Sequence, residues 1–262
     1  DSAPAQIGPV PVSANIDTPT VLCVGTFQYD GTEKTPTVVV RDSAGRVIPE
    51  SEYTVALPSP RIAVGTYTVT VTDNPGSGNY EFAASVTGAF EIVAASQNPL
   101  SITDKPANIC YGDTFRLSAI GGSGGGAIKW SIAESTGVAE IDDNGVVKVT
   151  GTGGFTVEAY REAEGGYSRS NTDRAPFFAG PKPVTPVVTA EDKPYDGNKN
   201  ATVKAAWRSG DLVGTDTIAL TVAGEFVTAD AGTGKQVKIT SKSPEGAFGN
   251  YVITWTESAA AS

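Results

Sequence analysis

The chain has 262 residues, a formal net charge of −10, two cysteines, and neither histidine nor methionine. Without histidine it has no Ser-His-Asp triad, no Cys-His dyad and no His-rich zinc site. The acidic balance disfavours nucleic acid, whose binders need basic patches to displace counterions, and it suits a soluble extracellular protein.

Residues 1–14 are proline-rich with little apolar periodicity, which reads as a linker or extended lead-in. In Thr66-Tyr67-Thr68-Val69-Thr70-Val71-Thr72 the apolar side chains alternate with threonines, the pattern of a half-buried strand. Thr37-Val38-Val39-Val40 is the expected neighbour of that strand. Asp42-Ser43-Ala44-Gly45 supplies a turn, and Phe90-Glu91-Ile92-Val93 is the closing strand of a unit over 15–95. A linker over 94–99 leads to a second unit, 96–180. There Ile128, Trp130 and Ile132 point one way, and Asn144-Gly145 marks a hairpin whose two turn positions favour positive φ. Phe155, Val157 and Ala159 share a face. Gly180-Pro181-Lys182-Pro183-Val184-Thr185-Pro186 reads as a semi-rigid linker, because proline fixes φ and removes backbone donors. In the third unit, 181–262, Ile218, Leu220 and Val222 alternate with polar or small residues. Val237 and Ile239 do the same, and Tyr251, Ile253 and Trp255 form the last inward face.

The three units repeat one another. Tyr29-Asp30-Gly31, Tyr111-Gly112-Asp113 and Tyr195-Asp196-Gly197 open them at separations of 82 and 84 residues. Gly78-Asn79-Tyr80, Gly165-Gly166-Tyr167 and Gly249-Asn250-Tyr251 close them, with opener-to-closer tyrosine spacings of 51, 56 and 56. A fixed long period with strand-like sequence between the motifs indicates an array of small domains. Glycine and proline recur throughout, and no long helical periodicity appears. The expected fold class is all-β: three tandem Ig-like β-sandwich domains.

These motifs resemble known families. Lys193-Pro194-Tyr195-Asp196-Gly197, Gly210-Asp211-Leu212, Gly232-Thr233-Gly234-Lys235 and Gly249-Asn250-Tyr251 resemble the YDG repeat of bacterial surface proteins. The first unit, from Phe27-Gln28-Tyr29-Asp30-Gly31 through Gly65-Thr66-Tyr67 to Gly78-Asn79-Tyr80, is similar to the related MBG-type repeats. Val138-Ala139-Glu140-Ile141-Asp142, Asn144-Gly145-Val146 and Gly154-Phe155-Thr156-Val157 resemble a bacterial Ig-like (Big) domain, although the second unit inverts its opener to Tyr-Gly-Asp. The resemblance implies β-sandwiches in secreted or wall-attached bacterial proteins, often adhesins or polysaccharide-handling proteins, with no catalytic residues.

The expected function is therefore a non-enzymatic extracellular spacer or adhesion segment. The alternative is a carbohydrate-binding array for neutral polysaccharide, or for another cell-surface ligand. No cofactor, metal, nucleic-acid partner or membrane-spanning segment is expected, and the chain is expected to be monomeric. Absence of an initiating methionine and of signal-peptide regions at Asp1-Ser2-Ala3-Pro4 fits a segment of a longer or processed protein. Candidate ligand residues are strand-end aromatics: Trp207 in the third unit, Tyr160 and Tyr167 in the second. Core packing is the competing role for Trp207, while Trp130 and Trp255 read as core residues. The Tyr-Asp-Gly opener admits a sugar-binding reading and a structural one, in which tyrosine fills the core edge, aspartate caps a turn and glycine takes positive φ. Gly121-Gly122-Ser123-Gly124-Gly125-Gly126 lacks the Lys and following helix of a phosphate loop and reads as a flexible loop. Asp142-Asp143 lacks EF-hand spacing and reads as a turn. Cys23 and Cys110 are expected to be free and buried, with a bridge between units as the alternative.

Overall fold

The structure, a computed structural model, describes residues 10–11, 20–74, 80–82, 84–135 and 137–260. Its described elements are strands, apart from one 3-10 turn at Glu50–Glu52. The chain divides into two compact units. One comprises Asp1–Pro99, Gly121–Ala127 and Arg161–Asn171; the other comprises Leu100–Ile120, Ile128–Tyr160 and Thr172–Ser262.

In the first unit a four-stranded sheet runs in the order Thr26–Gln28, Val86–Val93, Gly65–Asp73, Tyr53–Ala56. The threonine alternation works as read: Val69 and Val71 are fully buried while Thr66, Thr68 and Thr72 face solvent. Thr37–Arg41 differs from expectation. It pairs antiparallel with Thr20–Val24, whereas Gly65–Asp73 takes Tyr53–Ala56 and Val86–Val93 as its partners. Val40, Ile48, Phe90 and Ile92 complete the core. Of the 1–14 lead-in, only Val10–Pro11 is described; it pairs parallel with Tyr80–Glu81.

In the second unit Ile109–Cys110, Asp173–Gly180, Gly153–Arg161 and Ile128–Ser135 form one sheet in that order. Thr114–Arg116, Val146–Val149 and Ala139–Ile141 form another. Leu117, Val147, Val149, Phe155, Val157 and Ala159 are buried in their shared core, with Trp130 packed against it. Further on, Asn200–Ala201, Thr221–Phe226, Gln236–Ser243 and Ser258–Ala260 build a four-stranded sheet. Val187–Ala190 pairs with Val203–Ala206. Val184, Tyr251, Ile253 and Trp255 form an apolar cluster, and Ala190, Phe226, Val237 and Ala259 form another.

Four local expectations need correction. The 180–186 stretch is ordered strand: Lys182–Val184 pairs parallel with Tyr251–Ile253. Pro183 lacks a donor, but the strand bonds at its ends through the Lys182 amide and the Val184 carbonyl and lies at the sheet edge, where proline is tolerated. Ile218 and Leu220 pack into the core but precede the strand, which starts at Thr221. The glycine run is held down. Arg161 Nη1 donates to Gly126 O at 2.7 Å, and the amides of Ser123 and Gly124 donate to Gln97 Oε1 at 3.2 and 3.4 Å. Cys110 is free but half-buried, so it makes no bridge; the side chain of Cys23 lies outside the described residues.

Two turns share one design. At Asp42–Gly45 and at Asp142–Gly145 the glycine amide donates to the aspartate carbonyl at 2.9 and 3.1 Å. The aspartate carboxylate then accepts from the amide four residues on, Arg46 or Val146, at 2.8 and 2.9 Å. Only the glycine of each takes positive φ, +77° and +76°. Asn144 does not share it, so this is a four-residue turn ending in left-handed glycine rather than a two-residue primed turn. A Cβ on Gly145 would lie 2.8 Å from Leu117 O and 3.0 Å from the Trp130 ring. Gly145→Ala is therefore expected to destabilise the protein by roughly 2–5 kcal/mol, from overpacking added to the positive-φ penalty. Gly45→Ala, with open space around its Cβ, should cost less. Urea denaturation of the two variants checks the order.

Candidate functional site

The opener tyrosines are the residues that the fold positions most deliberately. In the first unit Thr26–Gln28 pairs parallel with Val86–Val93, and the amide of the next residue, Tyr29, donates to Val93 O at 2.9 Å. In the second unit Ile109–Cys110 pairs parallel with Asp173–Gly180, and the Tyr111 amide donates to Gly180 O at 2.9 Å. In both cases the tyrosine is fixed beside the end of a long closing strand.

Each of these tyrosines meets the Gly-x-Tyr closer that belongs to the following stretch of sequence. In the first unit Tyr29 and Tyr167 meet edge to face, with ring centroids 5.5 Å apart at 80°. The ring of Tyr29 lies on Gly166, where a Cβ would stand 2.5 Å from three of its carbon atoms. Neighbouring backbone seals the contact: the Ala95 amide donates to Gly166 O at 3.0 Å, and the Ser168 amide to Ala95 O at 2.8 Å. Gln97 Nε2 adds bonds to Glu162 O and Ser168 O at 2.9 and 2.7 Å. Residues 94–99 are thus stitched down rather than loose.

In the second unit Tyr111 and Tyr251 meet with the same geometry, 5.5 Å and 88°. Both hydroxyls donate to Asp216 Oδ2, at 2.8 and 2.6 Å. Tyr251 Oη also accepts from the Val213 amide at 2.8 Å. The inverted order Tyr111-Gly112 has a reason, since a Cβ on Gly112 would overlap Val213 Cγ2. The hydrogen bond to the Asp216 carboxylate, together with burial, raises the Tyr111 phenol above its ordinary value. Burial first, then Asp216, pushes Tyr251 up to about 12.

The third opener repeats the turn of the first. Thr32 and Asn198 amides donate to Asp30 Oδ1 and Asp196 Oδ1, at 2.8 and 3.1 Å. Gly31 and Gly197 take φ of +79° and +74°. A lysine neutralises each aspartate: Lys34 pairs with Asp30, and Lys193 with Asp196 at 2.9 Å. These bonds hold the Asp30 carboxyl well below the carboxylate range and lower that of Asp196. Yet Tyr195 is 71% exposed, against 8% for Tyr111. It borders an open cavity of about 120 Å³ lined by Lys193, Asp196, Phe226, Asp230 and Lys235. That is small beside the several hundred Å³ of a typical ligand pocket. Lys193 Nζ caps the Phe226 ring at 5.6 Å.

Of the residues chosen from sequence, Trp207 is half-buried on the core cluster of Tyr251 and Trp255, with Nε1 donating to Ile218 O at 2.9 Å. Tyr160 is half-buried in Gly153–Arg161. Tyr167 is half-buried against Tyr29. Asp216 gave no signal in sequence; its role comes from a loop that folds back on two distant tyrosines. Among the described residues no group of three His, Cys, Asp or Glu side chains is placed to hold a metal, and no helix is long and apolar enough to cross a membrane.

Residues 180–260 match the family described as the YDG domain. No curated protein sequence matches the chain. Among solved structures, mouse cadherin-23 EC22-24 is 14% identical, with 94% of this chain and 98% of that one covered and a TM-score of 0.27. Protocadherin gammaB7 EC3-6 is 12% identical over 84% and 72%, at 0.30. The S-layer protein rSbsC(31-844) is 15% identical over 89% and 37%, at 0.26. At these scores the likenesses carry no argument about fold or function.

Gly166→Ala is expected to cost about 2–5 kcal/mol, because it drives a methyl into the Tyr29 ring and Gly166 also takes a φ of +88°. Gly197→Ala, with nothing within 4 Å of its Cβ, should cost only the positive-φ strain of about 1–2 kcal/mol. Paired urea melts check this. A second expectation concerns pH. The folded state raises the phenol pKa values of Tyr111 and Tyr251 above the ordinary 10.0. Their contribution is complete below pH 10 and is lost as pH rises towards about 12. Denaturation midpoints followed over that window should fall, and fall less steeply in Tyr251→Phe.

Proposed function

We propose that the chain is a non-enzymatic tandem-domain segment of an extracellular or cell-surface bacterial protein, three β-sandwiches over 15–95, 96–180 and 181–262, serving as a spacer and adhesion element. The observation that carries this reading is the repeated junction. Tyr29 on Gly166-Tyr167 and Tyr111 on Asn250-Tyr251 spend the aromatic surface of the motifs on contacts within the array. Side chains that could stack on a sugar are used to fasten one stretch of chain to the next. The YDG match over 180–260 and the acidic, histidine-free composition support it.

The carbohydrate-binding reading has one observation in its favour, the exposed Tyr195 beside a shallow polar groove. Tyrosine stacks well on sugar faces at small entropic cost. Affinity-gel electrophoresis against a panel of neutral polysaccharides separates the two. The spacer reading expects unchanged mobility on every polymer. Retardation that disappears in Tyr195→Ala would replace it with the carbohydrate reading. Retardation that instead disappears in Trp207→Ala, Tyr160→Ala or Tyr167→Ala, with the variant folded, would place the ligand at those residues.

A further inference from the structure

The first unit takes in two excursions of chain, Gly121–Ala127 and Arg161–Asn171, that lie far in sequence from the rest of it. One side chain joins both to the segment over 94–99. Gln97 Nε2 donates to Glu162 O and Ser168 O at 2.9 and 2.7 Å, and its Oε1 accepts from the Ser123 and Gly124 amides at 3.2 and 3.4 Å. A carboxamide has two donor hydrogens and two acceptor lone pairs, so every hydrogen-bonding position of this side chain is filled by backbone from the two excursions. We infer that residues 94–99, 121–127 and 161–171 form one strap that opens and closes as a whole, with Gln97 as its lock. Opening would part Tyr167, carried on the third segment, from Tyr29. The inference goes beyond the spacer reading and holds whether or not the chain takes a glycan.

Each pair of segments is also bonded directly. Ala95 and Tyr167 form a parallel bridge. The Asn98 amide donates to Ser123 Oγ at 3.0 Å, and the Glu162 amide to Ala127 O at 2.9 Å. The glycines serve close approach. A Cβ on Gly126 would stand 2.3 Å from Glu162 O, and one on Gly124 3.0 Å from Glu164 O. Neither glycine takes positive φ, so residue size there is set by the nearness of the other segment. No residue of the three segments belongs to the apolar core clusters. Hydrogen bonds and one ring pair hold the strap, which puts it at the low-stability end of the unit. Losing Gln97 leaves backbone groups of both excursions without partners at once, so the segments release together.

Native-state hydrogen exchange of the full chain, followed residue by residue by NMR, tests this. The informative amides are Ala95, Glu162 and Ser168, which bond across the strap but not to Gln97. In the unaltered chain they should open with one free energy, shared with Ser123 and Gly124 and lower than that of Val69 and Val71 in the buried core. In Gln97→Ala all three should exchange about tenfold faster or more, with Val69 and Val71 unchanged. Unequal opening free energies in the unaltered chain would overturn the single strap, and that measurement does not depend on a variant folding. Faster exchange of Ser123 and Gly124 alone in Gln97→Ala would overturn the lock, since Gln97 would then be a local tie. Val69 and Val71 speeding up together with the strap would show that it has no opening of its own, and would overturn it as well. None of these outcomes bears on glycan binding, so the spacer reading stands or falls separately in the affinity gel.

Discussion

One backbone hydrogen bond sets the position of the Tyr29 and Tyr111 openers. A short strand runs parallel to the closing strand, and the amide just beyond it, Tyr29 or Tyr111, bonds to the carbonyl of Val93 or Gly180. A buried amide must find an acceptor, and the last carbonyl of the closing strand is the one within reach. The tyrosine ring is therefore delivered to the place where the chain leaves that sheet. A closer from 138 or 140 residues further along the chain meets it there. From this follow the edge-on tyrosine pairs, the glycines that admit them, and the bonds of Ala95 and Ser168 around one of them.

The two junctions solve the same packing problem with different chemistry. Where the closer is Gly165-Gly166-Tyr167, the opener ring lies on a residue with no Cβ, and van der Waals contact with backbone does the holding. Where it is Gly249-Asn250-Tyr251, Asn250 occupies that position, and Asp216 takes a hydrogen bond from each tyrosine. The glycine has moved to the opener's side, as Gly112, where Val213 needs the room. Small-residue relief is thus present at both junctions but on opposite partners. This accounts for the inverted Tyr-Gly-Asp order better than a lapse in the repeat would.

Much of this was legible in the sequence. The alternation at 66–72, the buried face at Phe155, Val157 and Ala159, and the Asp-x-x-Gly turns all come from local rules of period and turn chemistry. What escaped is non-local. Thr37–Arg41 was a strand by propensity, but nothing local says that its partner is Thr20–Val24. The prolines at 181–186 suggested a linker because proline lacks a donor; an edge strand tolerates that equally well. Aromatic candidates were picked for strand-end position. Exposure instead depends on contacts with distant stretches of the chain: Tyr167 is half-buried against Tyr29, while Tyr195 is open. The opener was read for its aspartate and glycine, correctly as a turn. Its tyrosine has its main work outside its own repeat, and no single repeat contains that information.

The groups that hold turns and junctions share an electrostatic property. Asp30, Asp42, Asp142 and Asp196 are all lowered below the ordinary 3.8, by side-chain or backbone hydrogen bonds that outweigh the cost of burial. Stability from each is complete above that value and lost only as pH falls through the lowered one. Tyr111 and Tyr251 are displaced in the opposite sense. Between about pH 4 and pH 10 these six groups keep one protonation state, and the chain has no histidine to titrate inside that window. The turn and tyrosine contacts built on these groups therefore keep one charge state across that range.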